Sequence, residues 1–72
     1  MLTTTEARKF VAECIMDMDE NVAFTVEGAY ACEDADGAYI AVDAIIGNSD
    51  AMFRVWEENG TIAWEVDTEF QP

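Results

Sequence analysis

Asn59-Gly60 lies between two runs of alternating apolar and polar residues, 51–58 and 61–67, and no other feature constrains the fold as strongly. Both residues accept the positive φ that a type I′ turn demands at its two central positions. Such a dipeptide between alternating runs is the strongest short-range hairpin signal. A two-residue loop pairs Glu58 with Thr61, and the register then places every side chain. Phe53, Val55, Ile62, Trp64 and Val66 fall on one face; Met52, Arg54, Trp56, Ala63, Glu65 and Asp67 fall on the other. Arg54 lands opposite Glu65, an opposite-charge cross-strand pair. A three-residue loop, the second choice, would bury Trp56 and turn Phe53 outward.

Ahead of this hairpin, Leu2 to Asp19 reads as the only helix. Thr3 and Glu6 fit a capping box, with Leu2 and Ala7 as the hydrophobic staple around it. Ala7, Phe10, Val11, Cys14, Ile15 and Met18 recur at helical spacing and form one apolar stripe. Glu6, Glu13, Asp17 and Glu20 form an acidic stripe beside it. Asp17, Asp19 and Glu20 stand where the helix dipole prefers cations, at a cost of about 0.3–1 kcal/mol each. Glu13 and Asp17 repel at i,i+4 by roughly 0.2–0.5 kcal/mol. Helix stability alone would not choose these charges. The bland reading is a solvated flank; the functional one is a surface kept acidic for a partner.

A second hairpin is expected between helix and Asn48. Val22, Phe24, Val26, Tyr30 and Cys32 alternate along one strand, and Ile40, Val42 and Ile46 along the next. Ala35-Asp36-Gly37 suits a three-residue loop closed by a Gly bulge. It pairs Cys32 with Ile40, Tyr30 with Val42, Gly28 with Ala44 and Val26 with Ile46. A two-residue loop would set the apolar faces against each other and is rejected. Gly28 opposite Ala44 would leave a shallow place in the inner face, unless Gly28 marks a bulge. Gly47-Asn48-Ser49-Asp50 turns the chain into the Asn59-Gly60 hairpin, and 68–72 reads as a frayed tail.

The order αββββ with short connections implies a two-layer α+β fold: one helix on a four-stranded antiparallel meander, as a single domain over residues 1–72. Both hairpins and the helix stripe supply the core. The open sheet face should carry Glu27, Ala29, Ala31, Glu33, Tyr39, Ala41, Asp43, Arg54, Trp56, Ala63, Glu65 and Asp67. Small residues around exposed Tyr and Trp suit an interaction surface with anchors. Equally, small domains leave apolar atoms exposed.

With 51% apolar residues the chain is expected to fold, although 72 residues is a size at which one core is marginal. Sixteen Asp or Glu against three Lys or Arg leave a net charge of −13, which disfavours direct binding to nucleic acid or anionic lipid. No apolar run reaches bilayer length, and the MLTTTEARKF terminus lacks a signal-peptide apolar region, so a cytoplasmic protein is expected. The chain has no histidine, which leaves Ser49 and the threonines without that general base. Nothing in a small meander suggests a cleft that would tune two carboxylates apart as acid and base. No enzymatic activity and no cofactor are expected. Asp17-x-Asp19-x-Asn21 opens like an EF-hand loop and then fails: Val22 replaces the turn glycine and Gly28 occupies the twelfth position. No metal site is assigned. Cys14 and Cys32 both point inward in this reading and are taken as two buried thiols.

The candidate partner-binding residues are therefore charged. They are Glu13, Asp17, Asp19 and Glu20 on the helix and its exit; Glu33, Asp34, Asp36, Glu57 and Glu58 around the hairpin turns; and Asp43, Trp56, Glu65 and Asp67 on the open sheet face. The two turns should share one end of the sheet, with Glu6 near. Asp17, Asp19, Glu20, Asp50, Asp67 and Glu69 should gather at the other.

In size, acidity and lack of an enzymatic motif the whole chain resembles small phage-encoded nucleic-acid mimics, among them DNA-mimicking anti-CRISPR proteins and inhibitors of restriction enzymes. The resemblance implies a monomeric, stoichiometric inhibitor in the host cytoplasm that occupies a Lys/Arg-lined channel, with a CRISPR effector complex as the favoured target. A groove built to release counterions from phosphates also attracts a rigid array of carboxylates. Two other readings stay open: an acidic immunity or antitoxin-like protein that neutralises a basic toxin, and a halophilic domain whose acidity serves solvation.

Overall fold

The computed structural model describes residues 2–67. Helix α1 (Thr4–Met18) is followed by four strands, β1 (Phe24–Asp34), β2 (Gly37–Ile46), β3 (Ser49–Glu58) and β4 (Thr61–Asp67). They form one antiparallel sheet in the order β1-β2-β3-β4. This is the α+β meander that the sequence implies. The helix is shorter than the expected Leu2 to Asp19 and begins at the capping box its sequence announces. Glu6 N–H donates to Thr3 Oγ1 at 3.1 Å, and Thr3 N–H donates to Glu6 Oε1 at 2.9 Å. Asp19, in extended conformation, ends the helix and donates its N–H to the Ile15 carbonyl. Glu20 therefore lies beyond the helix and is not part of its acidic stripe.

The two hydrogen bonds of the capping box have a pH signature. The Thr3 backbone N–H first, and its side chain second, hold the Glu6 carboxyl below its ordinary value of 4.5. A carboxyl with a lowered folded-state pKa stabilises the fold fully above its unfolded value, and that stabilisation fades as pH falls through the folded value. Thr3→Ala should cost about 1 kcal/mol in urea titrations near neutral pH. Glu6→Ala should lower the melting temperature at pH 7, and the gap to wild type should close as pH falls below 4.5.

The Asn59-Gly60 hairpin forms in the expected register. Asn59 and Gly60 have φ of 53° and 79°, Glu58 pairs with Thr61, and Arg54 pairs with Glu65. The first hairpin does not follow the three-residue loop. Its loop is Ala35-Asp36, with Asp34 paired to Gly37, Cys32 to Tyr39, Tyr30 to Ala41 and Ala29 to Val42. Asp34 Oδ1 accepts the Asp36 N–H at 2.9 Å, and Gly37 takes a φ of 128°. A non-primed turn splays its strands, and a glycine at a φ closed to other residues absorbs the mismatch.

The rejected register is made workable by a β-bulge between Val26 and Ala29, beyond which Val26 pairs with Ala44 and Phe24 with Ile46. One extra residue lets β1 change face part-way. Phe24 and Val26 face the helix, as expected. Tyr30 and Cys32 face the open side, and Ala29, Ala31 and Glu33 take the helix side, the reverse of the expected arrangement. Gly28 thus belongs to the bulge and does not oppose Ala44. A Cβ there would lie 2.5 Å from the Tyr30 hydroxyl, so the missing side chain is the space into which the Tyr30 ring folds.

Ala7, Val11 and Ile15 of α1 are buried against Ile40, Val42 and Ala44 of β2 and Ala51, Phe53 and Val55 of β3. Phe10 packs at the margin, whereas Met18, placed in the apolar stripe by its spacing, is 56% exposed. The helix packs on β1 and β2. The inner residues of β4 are consequently not covered as expected: Ile62, Trp64 and Val66 remain 36%, 37% and 39% exposed. Trp64 nevertheless lies against Phe53, ring centroids 5.8 Å apart. The proposed tail at 68–72, with Glu69, lies outside the described residues.

A candidate acidic interface on the open sheet face

The sheet divides the carboxylates into two populations. Side chains alternate across a strand, so the burial of Phe53 and Val55 sends Met52, Arg54 and Trp56 to the open face. Their partners follow: Asp43 opposite Met52, Ala41 opposite Arg54, and on β4 Asp67, Glu65 and Ala63 opposite Met52, Arg54 and Trp56. The open face is therefore a grid whose rungs lie about 4.8 Å apart between strands and about 6.7 Å apart along them.

Two shallow depressions mark this face. One lies at the hairpin-turn end and is lined by Asp34, Asp36, Glu57, Glu58 and Glu65 around Tyr39, Arg54 and Trp56. The other lies at the opposite end, where Glu27, Asp43, Asp50 and Asp67 surround Met52. Arg54 stands between them and is already engaged: its Nη1 is 3.6 Å from Glu65 Oε1, and its guanidinium sits 5.6 Å from the centre of the Tyr39 ring. With both partners largely in solvent the ion pair itself contributes under about 1 kcal/mol. Partial burial first, and the neighbouring Cys32 second, raise the Tyr39 hydroxyl above its ordinary value.

The expected site residues are thus partly gathered. Asp34, Asp36, Glu58, Glu65 and Trp56 meet in the first depression, which Glu57 borders while its side chain lies on the helix side, and Asp43 and Asp67 meet in the second. Glu33 stands on the helix side of the β1 edge. Glu13 and Asp17 are exposed on α1, and Asp19 and Glu20 follow it. Asp19 is committed locally, its Oδ1 accepting the Asn21 N–H at 3.0 Å. A rigid partner surface that meets the sheet face cannot meet the helix acids at the same time. Glu27 and Asp50 complete the second depression, although neither was among the expected site residues. Alternation already puts Glu27 on the open face, and it lies before the residues whose facing the bulge reverses. At the hairpin-turn end Leu2 N–H donates to Glu57 Oε1 at 2.9 Å, placing the helix start by the hairpin turns as expected.

Among the described residues no cluster of three or more His, Cys, Asp or Glu is arranged to hold a metal ion. No helix is long and apolar enough to cross a membrane. Neither a family model, nor a curated protein, nor a solved structure matches the chain.

The thiols depart from expectation. Cys14 is on α1 and Cys32 faces the open side beside Tyr39, so the sheet lies between them and neither is fully buried. Bridging requires Cα atoms within about 7 Å. Burial first, then Asp17 and Glu13, raise the Cys14 thiol above its ordinary value. Oxidant should leave the melting temperature of the monomer unchanged. In Cys32→Ser, iodoacetamide should label Cys14 slowly at pH 7.5 and faster as pH rises, followed by mass spectrometry; rapid labelling at pH 7 would contradict the placement.

Proposed function

We propose that this protein acts by binding alone, presenting its open sheet face to the basic nucleic-acid channel of a target protein in the cytoplasm and displacing the nucleic acid. The observation that carries the reading is the composition of that face: a carboxylate group at each end, one of them around Tyr39, Arg54 and Trp56, with its one cation already paired to Glu65. No described carboxylate is fully buried. The acids therefore contribute nothing to the core, and their like-charge repulsion works against it.

The charge density supports the same reading. On the open face, Glu27, Asp34, Asp36, Asp43, Asp50, Glu58, Glu65 and Asp67 less the charge of Arg54 leave −7 along a longest dimension of 32 Å, roughly one charge per 4–5 Å. Duplex nucleic acid carries about one per 1.7 Å and a single strand about one per 3.4 Å. A groove lined by Lys and Arg meets on this face a charge spacing nearer to that of a single strand than to that of a duplex. Trp56 and Tyr39, both lining the first depression, offer apolar area where a nucleic acid would offer bases or sugars.

Given the resemblance to anti-CRISPR mimics in size and charge, a purified CRISPR effector complex is the first target to test. Calorimetric titration at physiological salt should show one protein bound per channel, with an affinity that drops steeply between 50 and 300 mM salt. An interaction whose affinity is flat across that range would exclude charge mimicry. No heat with effector complexes but tight binding to a basic toxin would favour the immunity-protein reading.

A further inference from the structure

The edge strand β4 is a template that no other described strand pairs with on its outer side. In an antiparallel hairpin with a two-residue loop, the pair flanking the turn exchanges both of its hydrogen bonds, and the bonded pairs then alternate. Thr61, Ala63, Glu65 and Asp67 therefore turn their backbone groups to β3. Ile62, Trp64 and Val66 turn theirs outward. The same three residues carry the half-exposed apolar side chains on the helix side of the sheet, where α1 does not reach them.

Natural sheets guard such edges with bulges, prolines, lysines or inward-pointing charges. The opposite edge, β1, has its bulge at Glu27-Gly28. Over its seven residues β4 has none of these devices: it is unbroken by a register shift, and its charges, Glu65 and Asp67, both lie on the open face. From these features we infer that β4 accepts an extended segment of a partner protein that alternates apolar and basic residues, added as a fifth antiparallel strand. Its apolar side chains extend the row of Ile62, Trp64 and Val66. Its Lys or Arg side chains, on the other face, meet Glu65 and Asp67.

Charge complementarity selects this occupant over a second copy of the chain. Two copies paired edge to edge would bring together two bodies of −13 each and set Glu65 and Asp67 of one against those of the other. A basic strand gains main-chain hydrogen bonds, apolar contact and opposite-charge pairs at once. The inference goes beyond the mimic reading and does not depend on it, since it requires only the edge and its own two charges.

The test uses the full chain and two synthetic ten-residue peptides, one alternating Val with Lys and the other alternating Val with Glu. Amide hydrogen exchange should slow at least tenfold at Ile62, Trp64 and Val66 with the lysine peptide, and not with the glutamate peptide. Ile62→Lys puts a cation on the helix side opposite Glu57, where it is compatible with folding, and should weaken lysine-peptide binding at least tenfold. Equal protection by both peptides, protection elsewhere than on β4, or concentration-dependent protection of the same amides without peptide would each overturn the proposal. Loss of effector binding with peptide binding intact would count against the mimic reading alone.

Discussion

Phe53→Ala is expected to leave the chain largely unfolded at 25 °C. Phe53 has no exposed surface, is the largest fully buried side chain, and lies at the centre of the sheet between Val42 of β2 and Val66 of β4. Truncating a buried Phe to Ala typically costs about 3–5 kcal/mol. The ring contact with Trp64 adds on the order of 0.5–1.5 kcal/mol. A single core in a chain this small rarely provides more than about 3–5 kcal/mol in total. Loss and reserve are therefore comparable, and the far-ultraviolet spectrum should lose its folded signature. Phe53→Leu, which keeps most of the volume, should still melt cooperatively. A cooperative alanine variant destabilised by less than about 1 kcal/mol would mean that the helix and β2, not β3, hold the core.

The second large effect is on binding. Asp34→Lys with Glu58→Lys reverses charge in one depression, and Asp43→Lys with Asp67→Lys does so in the other. Combined, the four changes should reduce affinity for an effector channel by about 100-fold or more, since eight units of charge are removed from the contact face. Stability should stay equal or rise, because the changes relieve repulsion among exposed carboxylates. Asp17→Lys with Glu20→Lys alters the helix end instead. It improves the match to the helix dipole and should leave affinity within a few-fold of wild type. If the helix-end pair abolishes binding while the sheet-face set retains it, the interface is on α1.

The second hairpin was legible in detail because Asn59-Gly60 favours a two-residue loop over a three-residue one, and the loop length sets the register. The capping box of Thr3 and Glu6 was equally explicit. The first hairpin misled for a definable reason. Alternation assumes that a strand keeps one face to the core, and β1 does not: its bulge lets Phe24 and Val26 face in while Tyr30 and Cys32 face out. Gly28 carried that signal, but a glycine in a strand marks either a bulge or a close approach, and only the tertiary pairing separates them. Met18 and β4 failed differently. Helical and strand periodicity say which residues share a face, not how far the opposite layer extends. A fifteen-residue helix laid over β1 and β2 leaves Met18 and the apolar side of β4 at its margins. The charges were legible as composition, but their division into a sheet-face set and a helix set needed the fold.

Displacement of DNA by the wild-type protein tests the central claim most directly. A fluorescent DNA duplex bound to a purified CRISPR effector complex is titrated with the protein at physiological salt, and anisotropy and complex mass are read together. Binding to the open-face carboxylates requires mutual exclusion: anisotropy should fall to the value of free DNA, and the mass should shift to that of effector plus protein. A stable ternary complex in which the protein binds and the duplex stays in place would contradict it.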